Sequence, residues 1–363
     1  MLVNVLLLAT FSFGVYVAVV SNGTPTYVGL GTANKQGSLI NKIDTLTKPR
    51  AIPTKQQFLT PNGVYFGAST KNSPYNAAEL AGVTSAAGVA PSMTEYFVNW
   101  TEAFDPTAVA DAYKGGTLPV ISWEPWAGGE QSAGANGTPG KANIDQPKYK
   151  LSNIYNGDFD TYITTFAKAV AANKWPIVLR FAHEMNGTWY PWSEQENGNK
   201  PGDYVKAYQH VYDLFQKAGA TNVIWVWSPN IIRPVPNVSL ANLYPGNQYV
   251  DWVGLTGYSA VTETTPDTTF DATLKELATF TNKPVLLTET GAQPGPDKAA
   301  WISAFFPWLK KNPNIIGFVW TEKDIQTGAN ADWRFDATPQ AQAAFRAGLP
   351  SLTLATGVSA GKK

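Results

Sequence analysis

Between about residue 61 and residue 350 the chain alternates short apolar runs with stretches that carry apolar side chains on one face only. The runs are Gly63–Ser69 (GVYFGAS), Ser92–Trp100 (SMTEYFVNW), Leu118–Trp126 (LPVISWEPW), Trp175–Glu184 (WPIVLRFAHE), Asn222–Asn230 (NVIWVWSPN), Val250–Tyr258 (VDWVGLTGY), Lys283–Gly291 (KPVLLTETG) and Ile315–Lys323 (IIGFVWTEK). Near-continuous apolar runs of this length predict strands buried on both faces. The stretches between them predict helices. In Pro201–Gly219, Tyr204, Tyr208, Val211, Leu214 and Phe215 recur at three- and four-residue spacing, and Gly219 supplies a stop. Strands alternating with helices predict a parallel sheet covered by helices, and eight such units predict a single α/β domain, a (β/α)8 TIM barrel over residues 61–350. A doubly wound sheet would need a glycine-rich phosphate loop after its first strand, and GVYFGASTKNSP does not provide one.

In such a barrel the C-terminal strand ends share one mouth, where the active site sits. The predicted strands end in Asn99 and Trp100, Glu124 and Trp126, His183 and Glu184, Ser228 and Asn230, Tyr258, Glu289, and Trp320. Glu184 and Glu289 are 105 residues apart, three repeats, so they would close strands four and seven and face each other across the mouth. Two carboxyl groups about 5–5.5 Å apart are what retaining glycoside hydrolysis requires. Pairing with a nearby Arg or Lys is the alternative for each. Glu124, at the end of strand three, reads as a substrate-contacting or hydrogen-bonding residue, or else as a structural one.

Charge narrows the partner. Lys plus Arg and Asp plus Glu both number 27, so nothing draws the chain to nucleic acid or an anionic surface. Aromatic residues make up 13% of the chain, and flat rings with polar edges suit stacking on neutral sugars. Cysteine is absent and only His183 and His210 are present, which excludes disulfides, thiol chemistry and multi-histidine metal sites. No metal and no cofactor are expected.

The apolar run Leu2–Val20 is about as long as a membrane span. Residues 1–20 are read as a signal peptide or membrane anchor, 21–60 as a linker and 351–363 as a tail. The first lysine is Lys35 and no clean cleavage site follows, so an uncleaved anchor stays open, as does a buried helix. The signal and anchor readings place the barrel outside the cytoplasm, secreted or tethered.

The stretch RFAHEMNGTWYPW resembles the fourth-strand signature of glycoside hydrolase family 26, the β-mannanases and related β-glucanases of the large retaining (β/α)8 clan. The likeness extends over YFGAS, PVISWEPW, NVIWVWSPN, GLTGY and LLTETG, nearly all of the predicted barrel. It implies Glu184 as the general acid/base and Glu289 as the nucleophile. It implies that Arg180 favours the nucleophile's charge, with a buried structural ion pair as the alternative, and that Tyr258 donates a hydrogen bond to the nucleophile. His183 would contact substrate or orient Glu184, or be a satisfied core histidine. Trp189 and Trp320, and Trp126 more weakly, would be platforms under the sugar rings. The implied activity is endo-hydrolysis of a β-linked polysaccharide by a monomer, with β-1,4-mannan favoured over mixed-linkage β-1,3-1,4-glucan. A non-catalytic carbohydrate-binding surface protein is the rival from another class; loss of either glutamate would favour it, and both are present.

Overall fold

The computed structural model describes residues 6–11, 14–21, 24–29, 52–128, 144–260 and 265–356. Two compact units emerge, Met1–Ile52 and Pro53–Lys363. In the first, strands β1 (Leu6–Phe11), β2 (Gly14–Ser21) and β3 (Thr24–Gly29) pair as an antiparallel meander. The apolar run is thus laid out as strands, and among the described residues no helix is long and apolar enough to cross a membrane. Most of the stretch read as a linker, residues 30–51, lies outside the described residues, as does 129–143 of the long insertion after the third barrel strand.

The second unit is a closed barrel of eight parallel strands. They are β4 (Tyr65–Ser69), β5 (Met93–Asn99), β6 (Leu118–Glu124), β7 (Ile177–Phe181), β8 (Val223–Trp227), β9 (Trp252–Tyr258), β10 (Val285–Gly291) and β11 (Ile315–Thr321). Each lies within one apolar run of the sequence, and β11 closes onto β4 with Thr321 opposite Ser69. The helices cover the outside. The helix Asp203–Lys217 buries Tyr204, Tyr208, Val211 and Phe215 of the predicted stripe, with Ala207 beside them and Leu214 only partly buried, and Gly219 follows at φ 77°. Helix Asp160–Asn173 buries Ile163, Phe166, Ala167 and Val170 in the same way.

The domain is wider than residues 61–350. A short helix, Gln56–Leu59, packs Phe58 under the barrel, the Leu59 carbonyl accepts from the Trp252 indole at 3.2 Å, and Lys55 pairs with Asp251 at 2.6 Å. At the other end Val64 N–H donates to the Thr353 carbonyl at 2.8 Å and Ala355 N–H to the Val64 carbonyl at 2.9 Å. The close approach needs Gly63, because a Cβ there would stand 2.5 Å from the Thr353 oxygen. These segments carry few apolar residues, so periodicity alone could not attach them to the barrel.

Candidate active site

The fourth barrel strand, β7, positions the centre of the site. Side chains alternate along it, so Leu179 and Phe181 face the helices while Arg180 faces the barrel interior, fully buried. Its guanidinium donates to five side chains from neighbouring strands and their ends. Nε reaches Ser228 Oγ at 2.9 Å, Nη2 reaches Thr256, and Nη1 reaches Ser122 Oγ at 3.0 Å, Glu95 Oε1 at 3.2 Å and Glu289 Oε1 at 2.6 Å. Burial opposes the charge on Arg180, but the Glu289 carboxylate beside it outweighs burial and the guanidinium stays protonated.

Glu289 lies on β10, where pairing with both neighbouring strands is irregular just before it. One carboxylate oxygen takes the Arg180 bond. The other accepts from the Tyr258 hydroxyl at 2.9 Å, and that hydroxyl is 2.6 Å from Thr321 Oγ1. Burial and the Glu289 charge push the Tyr258 phenol well above its ordinary range, so it stays a donor.

Glu184 has another kind of setting. The sequence predicts a strand through Glu184, but β7 ends at Phe181, and both Ala182 (φ 46°) and Glu184 (φ 53°) adopt left-handed backbone. Such conformations in non-glycine residues cost free energy and concentrate at functional sites. Here the neighbours enforce them: Ala182 N–H donates to the Trp123 carbonyl at 3.1 Å and Glu184 N–H to the Ser228 carbonyl at 2.7 Å. Asn186 clamps the adjoining strand end through Asn230, donating to its carbonyl at 2.9 Å and accepting from its N–H at 2.8 Å. Gly187 admits the Trp189 ring, which a Cβ would meet at 2.5 Å, and the Trp189 indole donates to Glu184 Oε2 at 2.6 Å. Burial and then the Glu289 charge push Glu184 up to about 7, against the pull of Arg180, Trp189 and Thr256. Thr256 therefore touches both Arg180 and Glu184, and one chain of contacts runs Glu184, Thr256, Arg180, Glu289.

The remaining expected residues divide. Glu124 closes β6, is pushed up to about 8 by burial, and accepts from the Trp126 indole at 3.2 Å. His183 has no exposed surface; its Nε2 lies 3.2 Å from Tyr190 Oη and 3.9 Å from Glu124 Oε1, and burial followed by the Arg180 charge keeps the ring neutral. It therefore sits behind the mouth as a packed histidine, in edge contact with Phe97 and Tyr190. Trp126 is buried and meets Tyr190 and Trp192 edge to face, so it supports Glu124 instead of offering a face to a sugar. Of the three rings that follow Glu184, Tyr190 and Trp192 are buried and Trp189 is only partly so.

Trp320 is a correction. Thr321 faces the interior beside Tyr258, so the residue before it must face outward, and Trp320 is fully buried against Trp301, Phe305, Phe335 and Phe345. It is core and not a sugar platform. Its indole holds the Trp333 carbonyl at 2.9 Å, and the Trp333 ring, in the loop after β11, lies 4.5 Å from the Tyr258 ring. The sequence reading missed Trp333, which no strand signal marks, and also Glu95, Ser122 and Thr256. Glu95 had a signal: a charge in the middle of the otherwise apolar run SMTEYFVNW. Among the described residues no cluster of His, Cys, Asp and Glu could hold a metal ion.

Known proteins share this arrangement of strands and motifs. Endoglucanase H of Acetivibrio thermocellus is 33% identical over 265 residues, covering 69% of this chain and 26% of its own length. A mannan endo-1,4-beta-mannosidase of Bacillus subtilis is 29% identical over 168 residues, 43% of this chain and 42% of that protein. The chain thus spans between a quarter and a half of the length of these relatives. The solved structure of a β-mannanase from Bacteroides ovatus superposes with a TM-score of 0.58 over 84% of this chain and 93% of its own, at 19% identity, which shows the shared fold. The sequence model of glycosyl hydrolase family 26 matches residues 94–335, from within β5 through both glutamates to the loop after β11, and on that ground the chain belongs to glycosyl hydrolase family 26.

Proposed function

We propose that the protein is a retaining endo-β-glycosidase acting on a β-linked polysaccharide, with β-1,4-mannan as its substrate. The observation that carries this reading is the unequal treatment of two glutamates joined by one contact chain: Glu289 held by Arg180 and Tyr258, Glu184 pushed up by a dry setting. Glu289 attacks the anomeric carbon and the glycosidic oxygen leaves with the proton of Glu184. A covalent glycosyl-enzyme results. Glu184, now ionised, takes a proton from water, which attacks the same carbon and frees Glu289, so two inversions give net retention. Mannan is favoured by the relatives named as mannan endo-1,4-beta-mannosidases in Bacillus subtilis, Caldalkalibacillus mannanilyticus and Bifidobacterium adolescentis. A glucan is the second reading, favoured by the 265-residue match to endoglucanase H.

Reducing-sugar release from galactomannan, glucomannan, barley β-glucan and β-1,3-xylan, run in parallel, tests the reading. Release from galactomannan above the others supports it, release from barley glucan alone replaces mannan with the second reading, and no release from any polymer defeats it. The apolar run Leu2–Val20 supports a place outside the cytoplasm, secreted or anchored. Fractionating an expressing cell into medium, membrane and cytosol checks that, and recovery in the cytosol would refute it.

A further inference from the structure

Glu95 is a carboxyl of the barrel interior to which the two-glutamate mechanism gives no task. It stands on β5 with no exposed surface, and its two oxygens are treated differently. Oε1 accepts from Ser122 Oγ at 2.7 Å and from Arg180 Nη1 at 3.2 Å, while Oε2 is buried without a hydrogen-bond partner among the described residues. That asymmetry is the pattern of a carboxylic acid, a carbonyl oxygen with both lone pairs engaged and a hydroxyl beside it. In a carboxylate, half the charge would sit on an unsolvated oxygen. The nitrogen that Glu95 engages, Nη1, is also the one that holds Glu289. The charged groups around Glu95 are Arg180 from β7, Glu289 from β10 and Lys323 after β11.

We propose that Glu95 is a positioning residue for the nucleophile, a buried neutral acid whose Oε1 fixes the Arg180 guanidinium against Glu289 without competing for its charge. The inference rests on the glycosidase reading. Were Glu95 ionised, two anions would divide one guanidinium nitrogen, and neither would be held as firmly. Burial, resisted by Arg180 and reinforced by Glu289, pushes the Glu95 carboxyl up to about 8, which agrees with the geometry.

The test compares wild type with Glu95→Gln, which copies the neutral acid, and Glu95→Ala, which removes the acceptor. Difference infrared spectroscopy of wild type against Glu95→Gln at pH 6 should show loss of a protonated carboxyl band, and loss of a carboxylate band instead would overturn the proposal. On the polymer selected above, Glu95→Ala should lose at least about tenfold in kcat with little change in KM, the loss of one hydrogen bond to a charged group. Glu95→Gln should recover most of that loss, and its acid limb of kcat/KM should stay within about half a pH unit of wild type. An acid limb displaced further downward would mean that the substitution removed an anion beside Glu289, and the proposal would fall. If Glu95→Ala does not fold, the glutamine variant and the infrared band decide alone. A lost acid band in a protein that cleaves no polymer would defeat the glycosidase reading and leave Glu95 a structural acid.

Discussion

Glu289 and Glu184 have the same side chain and opposite surroundings. Glu289 sits within a strand, each oxygen taking a donor from a residue that stays protonated, Arg180 and Tyr258. Glu184 sits three residues beyond its strand on left-handed backbone, with Trp189 and Thr256 as its donors and burial as the dominant influence. One setting aims a carboxylate, and the other keeps a proton on an acid near neutrality. The difference arises because Arg180 is directed into the barrel toward Glu289 by the pleat, while the turn after Phe181 carries Glu184 away from that guanidinium's direct reach.

The widest separation of the two comes from truncation. Glu289→Ala should lose on the order of 10^5-fold in kcat on any substrate, since no group replaces the covalent step. Glu184→Ala should lose about 10^2 to 10^4-fold on polymer but far less on an aryl glycoside with a good leaving group. Added azide should restore turnover of that glycoside in Glu184→Ala only. Equal losses on both substrates, or azide rescue of Glu289→Ala, would exchange or abolish the roles.

Smaller changes probe what holds each glutamate. Tyr258→Phe removes one donor from Glu289 and should lower kcat about 10- to 100-fold, the worth of one hydrogen bond to a charged group, about 1.5–3 kcal/mol. A variant with unchanged kcat would show that Arg180 suffices. Trp189→Phe keeps a ring but removes the bond that favours ionised Glu184, so the alkaline limb of kcat/KM should move to higher pH. Movement to lower pH would mean that lost shielding from water outweighs the lost bond.

The smallest effect concerns stability. Glu95, Glu124 and Glu184 are all raised by burial, to about 8, 8 and 7, from an ordinary value of 4.5. Above 4.5 the unfolded chain has released protons that the folded state retains, so the fold loses stability as pH rises toward 8. The Tm from calorimetry should fall between pH 5 and 8, and Glu124→Gln should flatten the fall. A Tm that climbs over that interval would show that these carboxyls are ionised in the fold.

Strand positions were legible because a strand buried on both faces must be apolar throughout, and each of the eight runs needed only trimming at its ends. The two glutamates were legible because carboxylates at the ends of such strands stand out. Orientation was less so. Trp320 and Thr321 differ by one residue and face opposite sides of the sheet, and the sequence does not say which residue of a run faces inward at its end. The left-handed turn at Ala182 was hidden for a related reason, because carbonyls and amides on neighbouring strands enforce it and the local residues do not encode it. Arg180 was visible as a residue, but its five acceptors come from the whole span of β5 to β10.

The clasp between Val64 and residues 353–355 lies at the start of β4, on the barrel face opposite the mouth, and Lys55 is tied to Asp251 at the same face. Both chain ends of the barrel therefore leave from its floor. A segment fused directly at Pro53 or after Ala355 would start on the face away from the entrance. A barrel held to a surface by that floor presents its mouth to the surrounding medium.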